Sequence, residues 1–137
     1  MVKLIMGVKG SGKTKTLVEL VRDAVNLENG DVICIEREKK LTFDIPYQAR
    51  LIEAGEYDIG SYEFMRGFIS GLHAGNYDIS HVFIDNFLKI VSDNSTESFA
   101  DFLDWLSGVS EKDNIEFVIS VSLDPEDAGE KITKYMI

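Results

Sequence analysis

Cysteine is almost absent: Cys34 is the single thiol in 137 residues. One thiol closes no intramolecular disulfide and builds no Cys-rich zinc site. Without a secretory leader pattern at Met1–Gly10, the chain is expected in a reducing cytoplasm. Cys34 sits inside Val32-Ile33-Cys34-Ile35, an apolar run, and reads as a small core residue. Long hydrophobic runs are also missing. None approaches the ~20 residues that span a bilayer, so no membrane association is expected. Basic residues are outnumbered, 14 Lys and Arg against 24 Asp and Glu, for a net charge of -10. An acidic surface repels a phosphate backbone, and no nucleic-acid partner is expected. Nucleotide binding stays open, because a few local donors and a cation outweigh distant charge that salt screens over ~8–10 Å. The two histidines, His73 and His81, lack metal-ligand spacing and receive no role.

What is present is a globular composition, 45% apolar, in a length that suits one domain over residues 1–137. Strand-like and helix-like segments alternate. Lys3–Met6 is a short apolar strand. Leu17, Leu20, Val21, Ala24 and Val25 place a helix over Thr14–Asn26, which Asn29-Gly30-Asp31 ends. Val32–Ile35 reads as a buried strand. Asp44-Ile45-Pro46 has the chemistry of a helix start and predicts a short helix ending near Gly55. Tyr57–Ile59 predicts a small strand. Ser61 caps a helix through His73, with Phe64, Met65, Phe68, Ile69 and Leu72 on one face. Val82–Ile84 is the next strand. Asn94 and Glu97 have capping-box spacing ahead of a helix that turns Phe99, Phe102, Leu103, Leu106 and Val109 inward. Glu116–Val121 is the last strand, and Asp124-Pro125-Glu126 opens a terminal helix. The alternation, with strands apolar throughout, predicts a three-layer α/β/α domain with a mainly parallel sheet.

Chemistry concentrates in Gly7-Val8-Lys9-Gly10-Ser11-Gly12-Lys13-Thr14, which matches G-x-x-x-x-G-K-[ST] at each fixed position. The glycines let the backbone curl round an anion with its N–H groups inward. Lys13 supplies a mobile positive charge for the β- and γ-phosphates, and the Thr14 hydroxyl is a magnesium ligand. The helix that opens here adds its positive end at Lys15 and beyond. The loop follows a strand and opens a helix, the context such a motif needs. These residues predict binding of ATP with Mg²⁺.

His81-Val82-Phe83-Ile84-Asp85 is an apolar strand ending in Asp, the Walker B arrangement in which the Asp holds magnesium through water. Asn86 follows, where many ATP-hydrolysing proteins have Glu as base, and Asn accepts no proton. Glu36, at the end of Val32–Ile35, is the alternative base, on the sheet edge where ligands bind. A solvated loop carboxylate is the competing reading. If the Glu116–Val121 strand lies between those of Lys3–Met6 and Val82–Ile84, a Ser120 or Ser122 hydroxyl reaches the γ-phosphate or the attacking water. Otherwise each caps a turn. Arg37, Lys39 and Lys40 form either a lid over phosphates or a solvated loop. No N-K-x-D guanine-reading motif is found, which favours ATP.

On the Gly7–Thr14 loop and Asp85 the chain resembles the P-loop NTPase superfamily. Through MVKLIMGVKGSGKT, Val32–Glu36, GFISGLHAGNYDISHVFIDNFLKIV and Ser120–Pro125 it is similar to short bacterial ATP-binding proteins sometimes labelled twitching-motility or pilus-retraction proteins. RecA-like ATPases resemble the arrangement that puts the catalytic Glu on a different strand from the Walker B Asp. A looser similarity is to the thymidine kinases with a zinc-stapled lasso, from which Asn86 and the lone Cys34 depart. The resemblance implies a RecA-like or thymidine-kinase-like core and a slow Mg-dependent ATPase working as a nucleotide-dependent switch. A binding module without turnover and a small phosphotransferase are the alternatives. A protein partner or self-association is expected with the switch, because such ATPases often borrow an arginine, here Arg37 or Arg66, from a neighbour.

Overall fold

A computed structural model describes residues 1–137. Five strands, β1 (Val2–Gly7), β2 (Asp31–Glu36), β3 (Arg50–Glu53), β4 (Ile79–Ile84) and β5 (Glu116–Ser122), form one sheet in the order β1-β5-β4-β2-β3. Every pairing is parallel. Parallel neighbours need crossovers, and helices supply them on both faces. α1 (Lys13–Leu27) lies on one face. α2 (Tyr62–Gly75), α3 (Phe87–Ile90), α4 (Thr96–Asp113), α5 (Pro125–Ala128) and α6 (Glu130–Thr133) serve the other.

The strands are apolar throughout because both sheet faces are covered. Successive residues alternate between two cores. Leu4, Ile33, Ile35, Val82, Ile84, Phe117 and Ile119 join Met65, Ile69, Phe102, Leu103 and Leu106 of α2 and α4. Ile5, Val32, Cys34, Phe83 and Val118 join Leu17, Val18, Val21 and Ala24 of α1. Cys34 is fully buried there, and burial raises its thiol pKa.

Local chemistry explains the helix ends. Ser61 accepts from the Phe64 N–H (3.1 Å), and Asp124 from the Glu126 N–H (2.9 Å) with Pro125 behind it. The α4 cap is Ser95, which accepts from the Ser98 N–H (3.1 Å), so the Asn94–Glu97 capping box does not form. Asp93 fixes that geometry by accepting from the Ser95 N–H (2.9 Å).

Three expected elements differ. Asp44 to Gly55 is not a helix. Its first half is a chain of turns that, with Leu41 just ahead of it, lodges Ile45 and Ala49 against α1, and its second half contains β3, paired with β2 from Arg50 to Glu53. Pairing with β2 satisfies the backbone of Leu51 and Ile52, a long-range term that outweighs a weak helix start. Tyr57–Ile59 is not a strand; a single 3₁₀ turn over Ala54–Glu56 precedes it and Ile59 alone enters the core. The terminal helix is two short turns, α5 and α6, broken at Gly129 (φ 82°). After α6 the chain runs beside β1: Leu4 N–H donates to Tyr135 O (2.8 Å) and Ile137 N–H to Leu4 O (3.0 Å).

Candidate functional site

Parallel strands deliver all their carboxyl ends to one edge of the sheet, and the loops there build the site. β1 ends in Gly7 and the loop to α1; β4 ends in Asp85; β2 ends in Glu36; β5 ends at Ser122. Because β5 lies between β1 and β4, Gly7 is in register with Ser122, and Ile84 with Ile119.

The Gly7–Thr14 loop leaves its amides free. Gly10 (φ 84°) and Gly12 (φ 85°) are left-handed, a region in which a side chain is strained. Within the loop, Ser11 N–H donates to Val8 O (3.2 Å), and the first helical bond is Thr16 N–H to Gly12 O (3.2 Å). The N–H groups of Gly10, Gly12, Lys13, Thr14 and Lys15 have no acceptor within the protein. No side chain caps α1, and no acid stands in its first turn. Unpaired amides at the positive end of a 15-residue helix are donors free to receive an anion.

Lys13 points back into this nest. It is only 7% exposed, and Nζ donates to Val8 O (2.7 Å) and Ser11 Oγ (3.4 Å). Burial lowers its pKa, Asp85 opposes that by favouring the ammonium, and Lys89 adds to the lowering. Val8, Lys9 and Lys15 are exposed around the loop.

Asp85, 4% exposed, is where three elements meet. Thr14 Oγ1 lies 3.2 Å from Oδ1 and 3.1 Å from Oδ2. Ser120 Oγ donates to Oδ1 (2.6 Å), and Asn86 Nδ2 to Oδ2 (3.3 Å). These two oxygen donors, the Thr14 hydroxyl and the Asp85 carboxylate hydrogen-bonded to it, are the residues that would hold a magnesium ion here, Asp85 through water. No cluster of three His, Cys, Asp or Glu groups surrounds them. Water and phosphate oxygens would complete such an ion, its usual environment.

Ser120, 0% exposed, is spent on Asp85 and on the Asn86 N–H it accepts (2.8 Å). Ser122 is exposed and lines the cavity over the loop, about 410 Å³, together with Lys9, Lys13 and Lys15. Asn86 is left-handed (φ 50°), a conformation Asn tolerates better than most residues, and this accounts for an amide directly after Asp85. Asn86→Ala should therefore lower Tm by about 3–5 °C, roughly 1 kcal/mol, while Asn86→Gly loses less. Equal losses in thermal unfolding would remove backbone strain as the reason for Asn.

Glu36 shares a second cavity with Thr14, Asp85 and Asn86, about 310 Å³. It is 4% exposed, and its oxygens accept from the amides of Lys40 (2.9 Å) and Leu41 (3.2 Å). The carboxylate thus also shapes the loop carrying Arg37, Glu38, Lys39 and Lys40. Arg37 and Lys40 line this cavity. Arg66 does not; it lies over the Trp105 ring on the α2–α4 face, 5.7 Å from the centroid. His73 and His81 lie near Asp113 (3.5 Å) and Glu116 (3.0 Å).

Sequence reasoning missed Lys89. It stands on α3 and lines both cavities. A helix of four residues, with Lys89 between Leu88 and Ile90, leaves no periodic signal that could have marked it. A scan against models of protein families finds no match for the chain, and a search of curated proteins finds none. No helix is long and apolar enough to cross a membrane.

Proposed function

We propose that the chain is a P-loop nucleotide-binding protein that holds Mg-ATP and hydrolyses it slowly, acting as a nucleotide-dependent switch. The observation that carries this reading is the run of amides without acceptors around the Lys13 side chain. A polyphosphate would take those donors, with Lys13 on the β- and γ-phosphates and the Thr14–Asp85 oxygen pair on magnesium. Bound magnesium would neutralise the developing charge on the transferred group; the chain's own residues bind and orient the phosphates. The order β1-β5-β4 supports a RecA-like core, with a strand between the loop-bearing strand and that of Asp85.

Slow turnover follows from the candidate bases. Asn86 accepts no proton, and both Glu36 oxygens already receive amide hydrogens. Glu36→Gln is expected to abolish phosphate release yet bind ATP within about threefold of wild type, because the phosphate donors lie elsewhere. Undiminished turnover in the variant removes Glu36 from the mechanism. The same engagement of Glu36 supports the alternative of a module that binds without hydrolysis. Calorimetry with Mg-ATP tests the binding, and phosphate release by the purified chain separates the two readings. Changes in the Glu36–Leu41 loop on hydrolysis would be the signal that a protein partner or second copy reads.

A further inference from the structure

We infer that Lys89 is the residue that reads the γ-phosphate and so lets the site distinguish a nucleoside triphosphate from the diphosphate. This rests on the phosphate-loop reading above and goes beyond it by naming what senses hydrolysis. Two cavities meet at this end of the sheet. Lys9, Lys13, Lys15 and Lys89 line the one over the glycine loop, and Arg37, Lys40 and Lys89 line the one beside Glu36. Lys89 is thus the single cation common to both. Thr14 and Asn86 are shared as well, but neither carries a charge. A triphosphate in the nest, with its magnesium on the Thr14–Asp85 pair, would place its γ-phosphate at that junction, between Lys13 and the candidate base Glu36. The β-phosphate would stay with the amides of the loop.

The fold gives Lys89 a fixed base and a free arm. α3 is four residues long and is anchored by Phe87, 0% exposed, whose ring lies 6.0 Å from that of Tyr62, 5.4 Å from that of Phe99 and 5.0 Å from that of Phe102. Its turn closes on Asn86: the Lys89 N–H donates to Asn86 O (2.9 Å), and the Asn86 N–H donates to Ser120 Oγ (2.8 Å). Ser120 donates in turn to Asp85 (2.6 Å), so the Lys89 backbone keeps its place relative to the magnesium pair. The side chain itself is exposed, and its ammonium forms no ion pair. The other cations differ. Lys40 is paired with Glu38 (3.6 Å), Arg37 lines the Glu36 cavity alone, and Lys9 and Lys15 line the loop cavity alone. Lys89 also acts on Lys13: after burial and the opposing Asp85, it is the third influence on the Lys13 pKa, which it lowers. The two ammonium groups repel one another. A γ-phosphate between them would relieve that repulsion, and its departure would restore it.

The test is calorimetry of the full chain with Mg-ADP and with the magnesium complex of β,γ-imido ATP, which is not hydrolysed, in wild type, Lys89→Met, Lys89→Arg and Arg37→Met. Lys89→Met should weaken binding of the triphosphate about tenfold, the size of one charge-assisted hydrogen bond, and change ADP binding less than about threefold. Lys89→Arg should hold the triphosphate within about threefold of wild type, because a cation that pairs with phosphate is kept. Arg37→Met should leave the ratio of the two affinities within about threefold. The Lys89 side chain is exposed, so Tm should move by less than about 2 °C in its variants, and a thermal scan sets a damaged fold apart. Triphosphate affinity in Lys89→Met equal to that of wild type, an equal loss for ADP, or a ratio that falls as far in Arg37→Met as in Lys89→Met overturns the proposal and leaves the ATP site in place. A wild type that binds no ATP overturns the phosphate-loop reading with it.

Discussion

Lys13→Ala lowers the affinity for Mg-ATP by about a hundredfold or more while the protein still unfolds in one cooperative transition. Two charge-assisted hydrogen bonds to phosphate, at roughly 1.5–3 kcal/mol each, exceed the 2.7 kcal/mol or so that a hundredfold represents. The fold loses much less. Lys13 Nζ makes one good hydrogen bond, to Val8 O, and a long one to Ser11 Oγ, and both belong to the loop itself. The main body of α1 is held by Leu17, Val18, Val21 and Ala24, away from the substitution. A neutral hydrogen bond contributes about 1 kcal/mol, so Tm should drop by only a few degrees. The flanking glycines are exposed, but the Lys13 side chain is buried, which makes a small stability loss part of the expectation. Calorimetry at fixed magnesium, with a thermal scan of the same sample, reads both quantities. ATP affinity equal to that of wild type would end the phosphate-loop reading.

The apolar strands and long helices were legible because their signals are local. Val32–Ile35 and Glu116–Val121 are apolar on consecutive residues, and α1 and α4 repeat at helical spacing. β3 was not legible. Its four residues, Arg50 to Glu53, include just two apolar ones, and its conformation is set by β2, reached across a turn segment whose Pro46 mimics a helix start. For the candidate site, the loop and Asp85 could be named from spacing, and they do share one end of the sheet. Which serine meets Asp85 could not be named, because it depends on strand order. Ser120 and Ser122 point to the same side of β5, and only the neighbour β4, one residue step away, engages Ser120. The second job of Glu36, holding two amides of its own loop, depends on a turn that carries no motif.

Asp85→Asn should make ATP binding indifferent to magnesium. In wild type, withdrawing magnesium with a chelator should weaken ATP binding by about tenfold or more, because a bare Asp85 carboxylate beside Thr14 then faces the phosphates with its charge unmatched. Asn has the same shape and no charge. Without metal, the variant should therefore bind ATP at least as tightly as wild type, an effect opposite in sign to that of damaging the site by misfolding. With metal, it should gain less than about threefold, having lost the anionic oxygen that competes with water for the ion. The substitution also has a structural cost. Ser120 can still donate to the oxygen of the introduced amide, and the Thr14 hydroxyl can turn to accept from its amino group, but that amino group would face the Asn86 amino group, leaving donor against donor in a nearly closed pocket. That mismatch should cost about 1–3 kcal/mol. Titrations of both proteins in magnesium and in chelator give four affinities. A wild type whose affinity does not change on removing the metal, or a variant that keeps the full magnesium effect, would show that the Thr14–Asp85 pair does not hold the ion.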